Sequence, residues 1–168
     1  MFEIVICDDD STCLEQTCQL VNDWKAAIST PVSVKTMESG DKLLEYCAKN
    51  SPDVILLDIM MPLLNGMDAA RELREHNLIS KIIFLTTSPE FAIESYDVDA
   101  SGYLLKPVDR EKLYKLFGQN VCLLYQSLLI PSQYILHLDI KMYSCTILSF
   151  LKRKIKKVML ALYDGKRL

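Results

Sequence analysis

The chain has 168 residues, half of them hydrophobic and a quarter charged, which is enough for one globular domain and a further fragment. The net charge of −3 is unevenly distributed, because residues 1–122 carry 11 Lys and Arg against 20 Asp and Glu, whereas residues 123–168 carry 8 against 2. An acidic body with a basic tail suggests two units with different partners, so that any nucleic-acid binding would belong to the tail.

Nothing in the sequence favours secretion, a cysteine metal site or a membrane span. The start, Met1-Phe2-Glu3, lacks the basic residues of a secretory signal. The six cysteines form no Cys-x-x-Cys pair, and we expect them to be reduced thiols of a cytoplasmic protein. Residues 116–138 contain no Asp, Glu, Lys or Arg, but polar side chains and Pro131 interrupt the run, so no membrane contact is expected.

Short apolar runs alternate with segments of helical periodicity along the first 120 residues. The predicted strands are Phe2–Cys7, Val32–Thr36, 53–57, Lys81–Leu85 and Gly102–Leu105. Predicted helices begin at Ser11 as N-cap, at Ser39, at Met67, at Pro89 running through Phe91 and Ile93, and after Asp109. Alternating strands and helices with short loops predict an α/β fold, in which helices cover both faces of a parallel sheet.

Polar residues stand at the carboxyl ends of four predicted strands. Asp8 and Asp9 follow the first strand, Asp58 the third, Thr86 the fourth and Lys106 the fifth. In a doubly wound sheet these ends converge on one edge. Three carboxylates would repel one another there unless a cation lies between them, and oxygen ligands suit Mg²⁺. A lysine and a hydroxyl beside them would favour phosphoryl transfer to a carboxylate oxygen.

Each of these residues also has an ordinary structural explanation. The run Asp8-Asp9-Asp10 could cap a helix, Thr86 could end a strand, and Lys106 could be a solvated lysine. Tyr103 could be a half-buried strand aromatic. Asp10 and Thr87 are placed outside the site. The agreement of independent positions favours the phosphoryl-accepting site.

Four stretches together resemble the receiver domain of two-component response regulators over residues 1–120. They are Ile4-Val5-Ile6-Cys7-Asp8-Asp9-Asp10, Leu56-Leu57-Asp58-Ile59-Met60-Met61-Pro62 with Gly66, Ile83-Phe84-Leu85-Thr86, and Tyr103-Leu104-Leu105-Lys106-Pro107. The resemblance implies a flavodoxin-like, doubly wound five-stranded sheet of order 2-1-3-4-5. It also implies a signalling protein that promotes only its own phosphorylation and dephosphorylation, not an enzyme acting on other substrates.

The same resemblance implies a role for each site residue. Asp58 would accept a phosphoryl group from a sensor histidine kinase. Asp8, Asp9 and Asp58 would hold Mg²⁺ with the backbone carbonyl of Met60, and Lys106 would pair with the phosphoryl group.

The resemblance further implies a switch. Thr86 would move to bind the phosphoryl group, and Tyr103 would turn inward on activation. The face built from the predicted fourth helix, the fifth strand and the fifth helix, from Phe91 to Phe117, would repack and carry dimer or partner contacts, including a homodimer formed on phosphorylation. The Lys106-Pro107 bond is expected to be cis.

Within the family, the segment Phe91–Ala100 followed by Tyr103–Val108 looks like the LytR/AgrA group, whose output is a LytTR DNA-binding domain. Too few residues follow residue 122 for a complete output domain. The segments Phe150–Lys157 and Leu162–Leu168, with an Asp164-Gly165 turn, look like an early hairpin of that domain. We therefore expect a receiver domain at 1–122 and a basic extension at 123–168, an incomplete LytTR-like remnant of a truncated, frameshifted or trimmed regulator.

Two alternative functions are compatible with the sequence. A DNA-binding transcriptional regulator could act through the basic C-terminal segment, with DNA as partner only if the output domain is complete. A solvated charge run on a remnant is the favoured explanation of that segment, since a short basic stretch gives nonspecific binding at most. A phosphatase with Asp58 as nucleophile is weaker, because Met60 stands where a second catalytic acid is needed.

Overall fold

A computed structural model describes residues 2–27 and 31–127. Its strands are β1 (Phe2–Cys7), β2 (Val32–Met37), β3 (Val54–Asp58), β4 (Lys81–Thr86) and β5 (Gly102–Leu105). Its α-helices are α1 (Ser11–Ala27), α2 (Gly40–Cys47), α3 (Gly66–Glu75) and α4 (Arg110–Ser127). Two 3₁₀ turns, Glu90–Ala92 and Glu94–Tyr96, lie between β4 and β5.

The five strands form one sheet in the order β2-β1-β3-β4-β5, and every neighbouring pair is parallel. The predicted flavodoxin-like order 2-1-3-4-5 is therefore confirmed. All five residues of β3 are buried, as expected for a central strand covered on both faces. The parallel order brings the carboxyl ends of β1, β3, β4 and β5 to one edge, which places the predicted site residues together.

Helices α1 and α4 pack against each other through aromatic rings. The ring centroids of Trp24 and Phe117 are 4.7 Å apart and the rings are tilted by 52°. Both side chains are buried. The hydroxyl of Tyr114 also donates to the carbonyl of Leu20 at 3.0 Å, so apolar and polar contacts together fix this pair of helices.

The start of α1 differs from the expectation, because Asp10 and not Ser11 caps the helix. One carboxylate oxygen of Asp10 accepts the backbone N–H of Thr12 at 2.7 Å and that of Cys13 at 3.1 Å. Ser11 is itself the first helical residue. The carboxylate one residue earlier has the right reach for the two free N–H groups of the first turn.

The fourth predicted helix is also wrong, since the segment 90–99 contains only the two 3₁₀ turns. Its apolar residues do not form one buried stripe, because Ile93 is 82% exposed and Tyr96 is 83% exposed. The hydroxyl of Ser95 donates to the carbonyl of Ala92 at 2.7 Å, and such local side-chain bonds compete with α-helical bonds.

The predicted C-terminal remnant cannot be placed on this fold, because residues 128–168 lie outside the described residues. The predicted boundary at residue 122 falls within α4 and stays a prediction. Of the helices in residues 2–27 and 31–127, none is long and apolar enough to cross a membrane. The uncharged run 116–138 lies partly beyond this range.

Candidate functional site

Four strand ends bring the predicted residues to the same edge of the sheet. Asp8 follows β1 and is 1% exposed, Asp58 ends β3 and is 4% exposed, and Thr86 ends β4 and is fully buried. Lys106 directly follows β5, and its backbone N–H donates to the carbonyl of Thr86 at 2.8 Å. Buried polar side chains need partners, and the contacts among these residues supply most of them.

The ammonium group of Lys106 lies between two carboxylates. Its Nζ atom donates to Asp58 Oδ2 at 2.8 Å and lies 2.7 Å from Asp8 Oδ2. Burial alone would lower the pKa of Lys106, but the contacts with Asp58 and Asp8 outweigh it and the pKa is raised above 10.5. Lys106 is therefore positively charged at neutral pH, as predicted for a group that pairs with anions.

Asp8 and Asp58 together carry more negative charge than Lys106 alone can neutralise. Burial, followed by repulsion from Asp58, raises the pKa of Asp8 above 3.8, although Lys106 opposes the shift. Its Oδ1 accepts the N–H of Asp10 at 3.1 Å. Its Oδ2 forms an ion pair with Lys106 at 2.7 Å, and it is the one buried side-chain N or O atom in the described part of the chain without an assigned hydrogen bond. A carboxylate oxygen has more than one lone pair, so Asp8 Oδ2 can accept a further cation beside Lys106.

The three carboxylates form a group that could hold a metal ion. One oxygen each from Asp8, Asp9 and Asp58 lie within 4.8 Å of one another. Asp9 is exposed, whereas Asp8 and Asp58 are buried, so the group opens to solvent on one side. Hard divalent cations take carboxylate oxygens together with water, and this arrangement fits that chemistry.

The loop after β3 is packed closely against Asp58. The backbone N–H of Met60 donates to Asp58 Oδ1 at 3.2 Å, and that of Gly66 donates to the carbonyl of Ile59 at 3.0 Å. A Cβ atom at Gly66 would lie 2.0 Å from the carbonyl oxygen of Asp58, so only glycine fits here. The side chain of Met60 is 55% exposed, and the predicted role of its carbonyl as a metal ligand stays a prediction.

Thr86 and Tyr103 are connected through one residue, Ser88. The N–H of Ser88 donates to Thr86 Oγ1 at 3.3 Å, and its carbonyl accepts the hydroxyl of Tyr103 at 2.5 Å. The ring of Tyr103 is half-buried, 6.3 Å from the ring of Phe84 between centroids. Tyr103 is thus already bonded to the loop that follows Thr86. The Lys106–Pro107 bond is cis.

A sequence profile described as the response regulator receiver domain matches residues 4–117. The chain belongs to this family. Among curated relatives, the positive alginate biosynthesis regulatory protein of Pseudomonas aeruginosa is 36% identical over 110 residues, covering 66% of this chain and 43% of the relative. The sensory transduction protein LytT of Oceanobacillus iheyensis is 32% identical over 113 residues, covering 65% and 44%. The receiver thus spans less than half of these relatives' length.

Solved structures agree with the fold. The chemotaxis protein CheY4 of Vibrio cholerae matches with a TM-score of 0.61 and 28% identity, covering 71% of this chain and 98% of that one. The receiver domain of AraT from Geobacillus stearothermophilus matches with a TM-score of 0.64 and 25% identity, covering 76% and 98%. The predicted family is confirmed, and LytT proteins among the relatives agree with the LytR/AgrA resemblance.

Two residues of the receiver site were missed from the sequence. Asp10 was placed outside the site, yet its N–H holds Asp8 Oδ1 while its carboxylate caps α1. Ser88 was not considered, although it joins Thr86 to Tyr103. Ser88 makes these two contacts with backbone groups, which every residue carries, so no residue-type signal marks it. The cap by Asp10 uses its carboxylate, and the run Asp8-Asp9-Asp10 did indicate a helix cap. The DNA-binding alternative has no support within the described residues, because its basic segment lies beyond them.

Proposed function

We propose that this receiver accepts a phosphoryl group on Asp58 from the phosphohistidine of a sensor histidine kinase, in a reaction that requires Mg²⁺. The observation that carries the proposal is the position of Lys106 Nζ, 2.8 Å from Asp58 Oδ2 and 2.7 Å from Asp8 Oδ2. A buried carboxylate at a strand end, with a lysine on one oxygen and the N–H of Met60 on the other, is fixed in position for attack.

The chain's own groups account for the transfer. An oxygen of Asp58 forms the new bond to phosphorus while the bond from phosphorus to the imidazole nitrogen breaks, and the imidazole leaves with the bonding electron pair. Lys106 turns from the carboxylate to a phosphoryl oxygen, and the hydroxyl of Thr86 donates to another. Asp8, Asp9 and Asp58 would hold Mg²⁺, which would supply positive charge beside the transferring group. Hydrolysis of the resulting acyl phosphate ends the signal, so the receiver acts only on itself.

The phosphoryl group would then shift the balance between two arrangements of the face made by segment 90–99, β5 and α4. Thr86 and Tyr103 are joined through Ser88, so movement of one changes the contacts of the other. Three exposed apolar side chains lie on this face, Ile93, Tyr96 and Leu105, and they supply contacts for a homodimer or partner. We place the reaction in the cytoplasm, whose reducing conditions suit the free thiols of Cys7, Cys13, Cys18 and Cys47.

Phosphorylation tests the proposal directly. The full chain incubated with acetyl phosphate and Mg²⁺ is expected to gain one phosphoryl group, measured by intact mass. Asp58→Asn is expected to gain none. Asp53→Asn, which makes the same change just before the other end of β3, serves as the matched control and should react like wild type. An equal absence of adduct in wild type and Asp58→Asn would sink the proposal.

Thermal stability tests the metal separately. At a Mg²⁺ concentration of 100 times Kd, binding to the folded protein alone adds about 2.7 kcal/mol to the free energy of unfolding. Asp8→Asn removes a buried ligand and should abolish most of this gain. If Mg²⁺ raised the free energy of unfolding equally in wild type and Asp8→Asn, the cation would bind elsewhere.

A further inference from the structure

Two arginines on α3 bind the segment 90–99, which lies between β4 and β5 in the chain. The first is Arg71. Its Nη2 atom lies 3.2 Å from Glu94 Oε2, and its Nη1 atom lies 2.7 Å from Asp68 Oδ1 within the same helix. The side chains of Arg71 and Glu94 are about half exposed, at 45% and 50%. The ion pair therefore connects α3 to the first residue of the second 3₁₀ turn.

The second is Arg74, one helical turn further along. Its guanidinium donates to four backbone carbonyls: Nε to Val98 at 2.8 Å, Nη1 to Leu78 at 2.6 Å and Ser80 at 3.0 Å, and Nη2 to Asp99 at 3.3 Å. Two of these carbonyls precede β4 and two precede β5. The planar fork of arginine can satisfy all four, which a lysine cannot.

The Arg74 contacts also fix an unusual backbone. Asp99 has a φ of 49°, a left-handed conformation that side-chain-bearing residues adopt at some cost. Its carbonyl is held by Arg74, and its N–H donates to the carbonyl of Tyr96 at 3.1 Å. Arg71 contacts the first residue of the second 3₁₀ turn, and Arg74 contacts Val98 and Asp99 after the turn ends. The two arginines of α3 therefore hold the second turn on both sides.

We infer that Arg71 and Arg74 form a clamp that keeps segment 90–99 in its 3₁₀ arrangement and opposes the rearrangement that accompanies phosphorylation. This inference rests on the function proposed above. Helix α3 begins at Gly66, which is packed on the carbonyl of Asp58. It therefore links the loop beside the phosphoacceptor to segment 90–99 by a route separate from Thr86, Ser88 and Tyr103.

The clamp should change the fraction of molecules in which segment 90–99 is released. Contacts made in one arrangement stabilise that arrangement only, so removing them raises the fraction of molecules in the other. If the phosphorylated arrangement requires release of segment 90–99, a larger released fraction speeds phosphorylation in proportion. The exposed pair of Arg71 and Glu94 is worth roughly a two- to fivefold change in that fraction.

Hydrogen–deuterium exchange of the full, unphosphorylated chain measures the release. The N–H groups of Tyr96, Asp97 and Asp99 are bonded within the segment and should exchange about two- to fivefold faster in Glu94→Gln. Arg71→Gln should do the same, and the double variant should add little, because both changes remove one contact. Arg74→Lys should accelerate exchange further, on the order of tenfold, with circular dichroism confirming that it folds.

The matched control is Glu38→Gln, which breaks an exposed pair with Lys42 of 2.8 Å elsewhere on the surface and should leave exchange in segment 90–99 unchanged. Phosphorylation by acetyl phosphate and Mg²⁺ is then timed for each variant, and Glu94→Gln should react about two- to fivefold faster than wild type. Unchanged exchange in both Glu94→Gln and Arg71→Gln overturns the clamp. Faster exchange with an unchanged phosphorylation rate overturns its opposition to phosphorylation. Failure of the proposed function is distinct, because wild type would then react no more than Asp58→Asn.

Discussion

The middle of the sheet and the segment 90–99 beside it are built in opposite ways. Every residue of β3 is buried, so Asp58 is fixed from both faces of the sheet. Segment 90–99 instead exposes Ile93 and Tyr96 and is held by side-chain contacts from α3. A reacting carboxylate has to stay in place, which dense packing achieves. A switching segment has to change arrangement at low cost, and regions with few buried apolar contacts do so.

The largest expected difference in stability is between the same substitution, Ile→Ala, made in each of the two regions. Ile83 on β4 is fully buried and Ile93 is 82% exposed. Ile83→Ala should lower the free energy of unfolding by about 4 kcal/mol, since it leaves a cavity, and Ile93→Ala by about 0.5 kcal/mol or less. Urea denaturation measures both. Comparable losses would mean that segment 90–99 is packed as tightly as the core.

Removing the charge at the centre of the site should have the next largest effect. Lys106→Met leaves Asp8 and Asp58 buried without their ammonium partner, which should destabilise the fold by about 3 kcal/mol at neutral pH. Lys42→Met, which breaks an exposed pair with Glu38, should change stability by about 0.5 kcal/mol or less. If Lys106→Met and Lys42→Met lost the same small amount of stability, Lys106 would not be neutralising buried charge.

The stability lost in Lys106→Met should depend on pH, in a direction set by the pKa shifts of Lys106 and Asp8. The folded-state pKa of Lys106 is raised above 10.5, so its stabilisation is fully present below 10.5 and is lost as the pH rises through that higher value. The pKa of Asp8 is raised by burial above 3.8, so its contribution is most favourable below 3.8 and is lost as the pH rises through the raised value. The deficit of Lys106→Met should therefore shrink as the solution is acidified and the carboxylates become neutral.

Two glycines can be compared, because Gly66 is packed against backbone atoms and Gly102 against a side chain. Gly66→Ala places a Cβ atom 2.0 Å from the carbonyl oxygen of Asp58, whereas Gly102→Ala places one 2.6 Å from Leu116 Cδ1, a side-chain end that can move. Gly66→Ala should cost about 2 kcal/mol and slow phosphorylation, and Gly102→Ala about 1 kcal/mol or less. Thermal denaturation with the acetyl phosphate assay checks both, and the reverse order would contradict the packing around Asp58.

The mildest test changes no residue. Burial and the nearby Asp8 raise the pKa of the Cys7 thiol to about 12, and its side chain is 1% exposed. Cys13 is half-buried at the start of α1. Iodoacetamide at mildly alkaline pH should label Cys13 in the native protein and Cys7 on the order of a thousandfold more slowly, because Cys7 must wait for unfolding. Peptide mass spectrometry separates the two sites, and equal labelling would show that the end of β1 opens freely.

Much of the fold and most of the site could be predicted from the sequence, and the reason is physical. The apolar run Val54–Leu57 ending in Asp58 indicates a doubly covered strand, and parallel order then brings the other strand ends to it. Segment 90–99 could not be predicted as well, because Pro89 and the residues after it are compatible with a helix until their burial is known. Hydrogen bonds by the backbone of Ser88 leave no mark on residue type.

The aromatic contact between α1 and α4 makes the protein its own spectroscopic probe. Trp24 is the chain's single tryptophan, and it is buried against Phe117. Its fluorescence therefore reports on the contact between α1 and α4, which includes neither segment 90–99 nor the carboxylates. A change in emission on phosphorylation would mean that the structural change reaches α4. Unchanged emission would mean that the structural change stays on the β5 side.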